Sequence, residues 1–410
     1  MRLLLPDNAI KRKEKSMKTL KYLLFTSFLS LLFTFLSAFS VSAEDAKFTY
    51  YKDTDTGTLC ISGIIGDKAP ENVVFPTEIG GVKVGKIQNM VIVNDNGDGQ
   101  YKPFDLKGAR HIVIPEGYTK ICEFTGTENL ETVKLPKSIK VLPSFCFAGA
   151  DKLYSINLEY LTSVSSFAFS GCTSLREVNL INASKVGTKA FENTVNLTIY
   201  AMENSASHKY AEDNGISFSR LSGFEKKAIK LCDLGLMKGT GITEYGRRLF
   251  DLDRTPTRAE AVTMLVRFLG KEKDASETPQ KHPFSDVPQW ADGYVSYAYT
   301  NGLTKGMSDT EFGSDMLCTP EMYLTFMLRV LGYSDVGDNA DFSYENPWEF
   351  AQNKGITPRF MNTSPFYRSE MVDMSYLTLT AKLKGTDMPL YMSMISQGIF
   401  TLEEYEYWVE

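Results

Sequence analysis

The chain has 410 residues, of which 43% are hydrophobic and 23% are charged, a globular balance with room for two or three domains. Its net charge is −6, and because residues 1–43 carry seven Lys/Arg against two Asp/Glu, the rest of the chain carries −11. Such acidity argues against nucleic acid as a partner, and an acidic polymer would have to be bound in a local basic pocket.

Residues 1–43 have the pattern of a secretory signal peptide. Basic residues precede an apolar run over residues 20–39, and the small residues Val41, Ser42 and Ala43 follow it, as at a cleavage site. We therefore predict export, with no stable membrane span after cleavage. An uncleaved membrane anchor is the alternative, although the apolar run is barely long enough to span a bilayer.

The cysteines are far apart in sequence, and most have apolar neighbours. Export permits disulfides, but no CxxC pair suggests a metal site. We predict small buried hydrophobic side chains at Cys60, Cys122, Cys146, Cys172, Cys232 and Cys318.

Residues 47–87 contain β-forming segments between Gly and Pro, which predicts a β-rich start. The loop that follows carries Asn94, Asn96, Asp98 and Asp105, and it imitates the opening of a calcium-binding loop. It lacks the leading Asp, the closing Glu and the flanking helices of such a loop. We therefore interpret it as a polar surface loop.

Residues 111–218 are repetitive. Short strands recur, and two series of residues return at steps of 22 or 23: Phe124, Phe147, Phe169 and Phe191, and Val141, Val164 and Val186. The polar residues Lys134, Asn157, Asn179 and Thr198 form a third series. Such a period predicts a solenoid whose coils bury their apolar residues against one another. The polar series is the middle position of each strand and points outward. It is a candidate partner-binding face, with a solvated sheet face as the alternative.

Two segments of this region, AFSGCTSLREVNL and PSFCFAGADKLYSINL, resemble the BspA-type leucine-rich repeats of bacterial surface proteins. The closing segment NSASHKYAEDNGISF resembles the helical tail of those arrays. The resemblance implies a β-rich leucine-rich-repeat solenoid over residues 44–221, whose protein or glycan partner is unknown.

The segment FDLDRTPTRAEAVTMLVRFLG, residues 250–270, predicts a helix. Thr257 and Glu260 have the spacing of a capping box, and Gly270 suits the C-terminal stop. Glu260, Thr263 and Arg267 fall on one polar stripe. Arg258 lies on the opposite side in the first turn, beside free amides, where it would form an anion pocket. An arginine curling back to solvent is the alternative.

Related segments follow. Residues 319–332 repeat the helix pattern, and residues 284–306, FSDVPQWADGYVSYAYTNGLTKG, together with the TRAE motif of residues 257–260, resemble the S-layer homology (SLH) family. The resemblance implies an all-α helical bundle of three copies at residues 222–275, 282–336 and a degenerate 340–410. Residues 271–281 and 334–340 are predicted linkers.

The family resemblance also implies a ligand. SLH grooves hold anionic, often pyruvylated, secondary cell-wall polysaccharide, and the residues at the matching positions are Arg258, Glu260, Trp290, Tyr294, Trp348, Arg368 and Glu370. The aromatic residues could face sugar rings, with core packing as the alternative. The second copy has Pro320, Glu321 and Met322 where Arg, Ala and Glu belong, so anion binding is not expected there.

Enzyme signals are weak. The three histidines are far apart, and no common nucleophile, metal or phosphate motif is present. We predict no catalytic residues and no cofactor. The sequence favours a non-enzymatic protein of the bacterial cell surface, anchored to wall polymer and displaying a repeat domain for binding or adhesion. A structural lattice subunit and a wall-active glycoside hydrolase are the alternatives.

Overall fold

The computed structural model describes residues 47–93, 99–277, 282–357 and 365–407. The predicted signal peptide and residues 94–98 of the predicted polar loop lie outside these ranges. Within them, no helix is both long and apolar enough to cross a bilayer. The repeat region is a β-solenoid of about seven turns, and a helix-rich region follows it, as predicted. Two compact units divide the chain, Met1–Ser138 and Ile139–Glu410.

The first unit is built from short strands. Strand β1 pairs antiparallel with β2, β2 runs parallel to β5, and β3, β9 and β11 form a parallel ladder. The predicted β-rich start is therefore confirmed. The strands are β1 (Phe48–Lys52), β2 (Leu59–Ile64), β3 (Asn72–Val74), β4 (Glu78–Ile79), β5 (Val82–Ile87), β6 (Met90–Val93), β7 (Gly99–Lys102), β8 (Phe104–Asp105), β9 (His111–Val113), β10 (Phe124–Thr125) and β11 (Thr132–Lys134).

The second unit begins with the last coils of the solenoid. Its strands stack in parallel. They are β12 (Val141–Leu142), β13 (Ser155–Ile156), β14 (Ser163–Val164), β15 (Glu177–Asn179), β16 (Lys185–Val186), β17 (Thr198–Met202) and β18 (Ser217–Leu221). Helix α1 (Ala206–Asp213) lies between the last two strands, which confirms the predicted helical tail.

The phenylalanine series forms the solenoid core, as predicted. Phe147 and Phe169 are fully buried and Phe191 is 2% exposed. Their rings stack along the array, with centroids 5.7 Å apart between Phe147 and Phe169 and 5.2 Å apart between Phe169 and Phe191. Each ring therefore fills the space between two neighbouring coils.

Two predicted series are wrong by one or two residues. Leu142, which is fully buried, is in register with Val164, whereas Val141 is 51% exposed and pairs with Ser163. Likewise, Asn179 is in register with Tyr200, and Thr198 is in register with Glu177. Thr198 is therefore two residues away from the position that continues the polar series. In both places neighbouring residues fit either register, so the hydrophobic pattern alone did not decide the alignment.

Helices are the main regular structure of the region after Leu221. They are α2 (Gly223–Asp233), α3 (Arg258–Phe268), α4 (Glu272–Glu277), α5 (Asp292–Thr300), α6 (Pro320–Val330), α7 (Trp348–Asn353), α8 (Arg368–Thr380), α9 (Leu390–Ser396) and α10 (Leu402–Glu406). A short antiparallel pair, β19 (Gly241–Ile242) and β20 (Arg248–Leu249), adds β structure to the region predicted as all-α. The helices share one core with Tyr160 and Ile181 of the last coils.

Helix α4 corrects the predicted linker over residues 271–281. Ala275 is 1% exposed, and the carboxylate of Glu272 accepts hydrogen bonds from Tyr294 (2.6 Å) and Arg267 (3.1 Å). These tertiary contacts stabilise a helix in a charged segment that has little hydrophobic pattern of its own. Residues 334–340 are irregular, as predicted.

The cysteine prediction is confirmed for five residues. Cys60, Cys122, Cys146, Cys172 and Cys318 are buried, Cys232 is half-buried, and all six are free thiols. Burial raises the pKa of the Cys122 thiol to about 12, as expected for an inert side chain in an apolar site.

Lys230 on helix α2 is a buried amine, 2% exposed, and its Nζ lies 4.0 Å from the ring centroid of Tyr405. Burial lowers its pKa to about 8 from an ordinary 10.5. Between those pH values the unfolded chain holds a proton that the folded protein lacks, so stability rises with pH. From pH 7.5 to 9.5 we expect the free energy of unfolding to rise by about 2 kcal/mol relative to Lys230→Met. Urea unfolding of both proteins measures this, and parallel pH profiles would contradict it.

Candidate functional site

The start of helix α3 has the predicted capping box. The Thr257 hydroxyl accepts the amide of Glu260 (3.3 Å), and the Glu260 carboxylate accepts the amide of Thr257 (2.8 Å). The helix is buried on all sides except at Glu260, so the predicted polar stripe is not a solvated face. Thr263 bonds to the Ala259 carbonyl, and Arg267 binds Glu272 and Tyr294.

The first amides of helix α3 are not free, contrary to prediction. The amides of Arg258 and Ala259 donate to the carbonyls of Met316 (2.8 Å) and Ser314 (3.2 Å), which belong to the second copy. An anion at this site therefore has to be held by side chains. These two bonds join the start of helix α3 to residues 314–316.

Arg258 lies at this contact as a buried cation that is 9% exposed. Its guanidinium donates to the Lys305 carbonyl and to Thr304 Oγ1 (3.4 Å), and it lies 4.7 Å from the ring centroid of Phe312. Its Nε is buried without a partner, and no carboxylate of the described residues forms an ion pair with it. Burial lowers the pKa of Arg258, but an arginine keeps its proton at any physiological pH.

Asp286 fixes residues 312–314, which contact the start of helix α3. Its carboxylate accepts the amides of Phe312 (2.6 Å), Gly313 (2.7 Å) and Ser314 (2.9 Å). Desolvation alone would raise the pKa of Asp286, but these three bonds outweigh it and lower the pKa. The Ser314 hydroxyl is a second buried polar atom without a partner in the described part of the chain.

Arg368 starts helix α8 in the same way that Arg258 starts helix α3. Its amide donates to the Arg254 carbonyl (2.8 Å) and the amide of Ser369 to the Leu252 carbonyl (2.9 Å), so the third copy docks on the first as the first docks on the second. The Arg368 side chain, however, binds the Phe250 carbonyl (2.9 Å) and the Glu260 carboxylate (3.2 Å). Its charge is already balanced within the protein.

Glu260 balances a second cation as well. Arg254 makes two hydrogen bonds to its carboxylate, of 2.7 and 3.0 Å. Desolvation opposes ionisation of Glu260, but the bonds from Arg254 and Thr257 and the charge of Arg368 lower its pKa overall. Glu370 plays the corresponding part in helix α8, accepting the Tyr367 amide (2.6 Å), although the Tyr367 side chain does not cap that helix. Both carboxylates therefore act on the protein itself.

The second copy has no arginine at this position. Pro320 begins helix α6, and the following Glu321 accepts the indole Nε1–H of Trp348 (2.9 Å). The arginine is thus replaced by proline, and a carboxylate is added at the next position, as the sequence shows. Trp348 is half-buried and tied to that carboxylate.

The other two predicted aromatic residues differ from each other. Trp290 is 55% exposed and available to solvent. Tyr294 is 9% exposed, and its hydroxyl is held by Glu272 and Arg267. Tyr294 is therefore a core residue, which corrects its assignment to a sugar-facing surface.

Comparisons with known proteins agree with this architecture. The family model for the BspA type leucine rich repeat region matches residues 101–212 in six copies, and the model for the S-layer homology domain matches residues 283–319. The chain is a cell-surface protein with BspA-type repeats and an S-layer homology domain. The S-layer homology match lies within the predicted second copy, residues 282–336. The first and third copies remain predictions from the sequence.

Individual relatives are similar over short regions. A "Cell surface protein" of Thermoanaerobacter kivui is 34% identical over 110 residues, which is 26% of this chain and 14% of the relative. The "Middle cell wall protein" of Brevibacillus brevis is 35% identical over 111 residues, 27% of this chain and 10% of the relative. The chain thus spans at most about a seventh of the length of these relatives. The T. pallidum leucine-rich-repeat protein structure is 20% identical, with a TM-score of 0.30 over 37% of this chain and 68% of that chain.

The outer face of the repeats is partly covered. Lys134 is exposed, whereas Asn157, Asn179 and Thr198 are half-buried. Arg247, from the predicted first SLH copy, contacts strands β15 and β17. Its guanidinium lies 3.9 Å from the ring centroid of Tyr200, and it pairs with Glu177 at 3.3 Å.

Asn179 lies at the same contact, where it lines a cavity of 510 Å³ together with Arg247. At Asn179 the candidate partner face therefore meets the protein's own helical region. The sequence contains no local signal for this, since Arg247 lies about 70 residues from Glu177.

Proposed function

We propose that the SLH region anchors the protein to the wall by binding anionic, often pyruvylated, secondary cell-wall polysaccharide in the groove around Arg258. One observation carries the proposal: Arg258 is a buried cation with an unpaired Nε and no carboxylate partner in the described chain. Leaving such a group without a counter-charge is unfavourable, so a carboxylate of the polymer is a natural partner. SLH domains generally bind cell-wall polysaccharide.

The structure supports unequal roles for the other predicted site residues. Arg368 has an internal carboxylate partner, and Glu260 and Glu370 are acceptors for the chain's own donors. We assign these three to positioning of the helix starts. Trp290 is exposed, and it remains a candidate for stacking on a sugar ring.

The test is co-sedimentation of the protein, without residues 1–43, with purified cell walls before and after removal of the secondary polymer. The proposal expects binding to intact walls and loss of binding to stripped walls. Equal sedimentation with both preparations would show that the polymer is not the ligand.

Arg258→Ala should weaken wall binding by about 1.5–3 kcal/mol, roughly 10- to 150-fold, because it removes charge-assisted hydrogen bonds to the polymer. Arg258→Lys should restore little, since a bidentate grip on a carboxylate needs the planar guanidinium. The readout is the wall concentration for half-maximal co-sedimentation, after circular dichroism has shown that each variant folds.

Arg220→Ala is the matched control for this measurement. It makes the same change of charge at an exposed surface pair with Glu203 (3.2 Å), and it should bind walls as the unchanged protein does. Arg368→Ala should weaken binding less than Arg258→Ala. If the loss followed Arg368 and spared Arg258, the groove assignment would be wrong.

The repeats would then display a binding surface away from the wall, with no chemical step catalysed. The matched families are non-catalytic kinds. The two rivals have distinct signatures: release of soluble fragments from purified walls would indicate a hydrolase, and ordered arrays formed without wall would indicate a lattice subunit.

A further inference from the structure

A second cavity lies at the C-terminal end of the solenoid, within the Ile139–Glu410 unit. Its volume is 430 Å³, inside the range of about 300–1,000 Å³ typical of small-molecule sites. We call it the cap cavity. Its lining includes Lys189, Glu192, Asn193, Asn196, Tyr210 and Ser217.

Tyr210 presents a buried hydrogen-bond donor to the cap cavity. The side chain is 8% exposed, and its hydroxyl accepts the amide of Phe191 (3.1 Å). The hydroxyl proton has no acceptor among the described residues. Because burial raises the pKa of Tyr210, the group keeps that proton and remains a donor.

Two exposed asparagines present their side-chain amides on the rim. Asn193 and Asn196 have left-handed φ values of 60° and 55°, and their side chains make no hydrogen bond within the described part of the chain. Each amide offers both donors and an acceptor, which is what a hydroxyl or acetamido group requires in return. Lys189, with φ of 56°, adds a third left-handed residue at the same rim.

The cavity carries no net charge and has an apolar flank. Lys189 and Glu192 pair with each other at 2.6 Å, so their charges balance. Lys189 Nζ also lies 5.8 Å from the ring centroid of Phe167, and Phe167 stacks in parallel on Phe145 at 5.0 Å. Phe145 is 44% exposed, although the phenylalanines of the core series are buried.

From these features we infer that the cap cavity binds a neutral oligosaccharide. The exposed amides and the hydroxyl donor match sugar hydroxyls, and the balanced ion pair disfavours a charged ligand. Phe167, which lies beside Lys189 outside the lining, suits the C–H surface of a second sugar unit. The site is separate from the Arg258 groove and takes an uncharged ligand instead of an anionic one.

The probes are the neutral trisaccharides chitotriose, cellotriose and maltotriose, with a hyaluronan tetrasaccharide as the charged comparison, titrated into the chain without residues 1–43 by calorimetry. We expect at least one neutral trisaccharide to bind and the hyaluronan fragment to bind at least tenfold more weakly. Absence of binding by all three neutral sugars at millimolar concentration, or preference for hyaluronan, would overturn the inference.

The variant Asn193→Gly/Asn196→Gly should weaken that binding at least tenfold. Glycine accepts left-handed φ without strain, so the backbone stays while both amides are lost. Asn204→Gly is the matched control, because Asn204 is exposed with φ of 60° but lies outside the cavity lining. Equal binding by the double variant, or an equal loss in Asn204→Gly, would contradict the site.

Two more variants separate the site from its neighbours. Tyr210→Phe removes only the hydroxyl, and it should weaken trisaccharide binding at least fivefold. Unchanged affinity would show that Tyr210 does not belong to the site. Arg258→Ala should leave trisaccharide binding unchanged, so the cap cavity and the wall-polymer groove succeed or fail independently.

Discussion

Replacing Glu260 with alanine should destabilise the SLH region by about 3–5 kcal/mol, because it leaves the buried Arg368 without its counter-charge. Arg368 is 5% exposed, and Glu260 is the only carboxylate of the described residues that pairs with it. The same change removes one half of the helix α3 capping box, worth typically about 1 kcal/mol. Urea unfolding followed by circular dichroism measures the loss.

The variant Glu260→Gln separates the effect of the ion pair with Arg368 from the effect of the helix α3 capping box. Glutamine can still accept the Thr257 amide, so its penalty should be smaller than that of alanine by about 1 kcal/mol. Glu203→Ala is the matched control, since its pair with Arg220 is exposed and worth about 0–1 kcal/mol. Penalties below about 1 kcal/mol for both Glu260 variants would show that Arg368 does not need this partner.

Lowering the pH should remove the difference in the free energy of unfolding between the unchanged protein and Glu260→Gln. The folded pKa of Glu260 lies below its ordinary 4.5, so the carboxylate contributes stability above pH 4.5, and that contribution is lost as pH falls through the folded pKa. Unfolding of both proteins at pH 7, 5 and 3 measures this. A difference in stability that persisted unchanged at pH 3 would contradict the ion-pair origin.

Local features of the site could be predicted from the sequence, and distant ones could not. The capping box of Thr257 and Glu260 depends on four consecutive residues, and it is present as predicted. The amide of Arg258, by contrast, donates to the carbonyl of Met316, which lies 58 residues further on in the chain. Nor does any local pattern show that Arg368 pairs with Glu260, or that Arg258 has no ion pair with a carboxylate of the described residues.

Helix α4 shows how tertiary contacts override a local pattern. The charged segment KEKDASETPQK has the composition of a linker. Its helix is stabilised by Glu272, whose partners Arg267 and Tyr294 lie on two other helices, and by the burial of Ala275. The repeat of 22 or 23 residues likewise predicted the solenoid, but it could not decide between Val141 and Leu142, which are both apolar.

The solenoid core offers the other large effect. Phe169→Ala should destabilise the protein by about 3–5 kcal/mol, the usual penalty for removing a buried aromatic ring and leaving a cavity. Phe169 is fully buried and stacks on both Phe147 and Phe191, so the change removes two ring contacts at once. In a solenoid each coil is stabilised mainly by its neighbours, and a central defect weakens the coupling between the coils on either side.

Phe167→Ala is the matched control, because it deletes the same side chain two residues away. Phe167 is half-buried on the outside of the coil, and its loss should cost about 1 kcal/mol or less. Urea unfolding of the chain without residues 1–43 compares the two variants. A shift of the repeat register by two residues would exchange the roles of Phe167 and Phe169. A penalty at Phe169 no larger than that at Phe167 would therefore show that the phenylalanine series does not form the core.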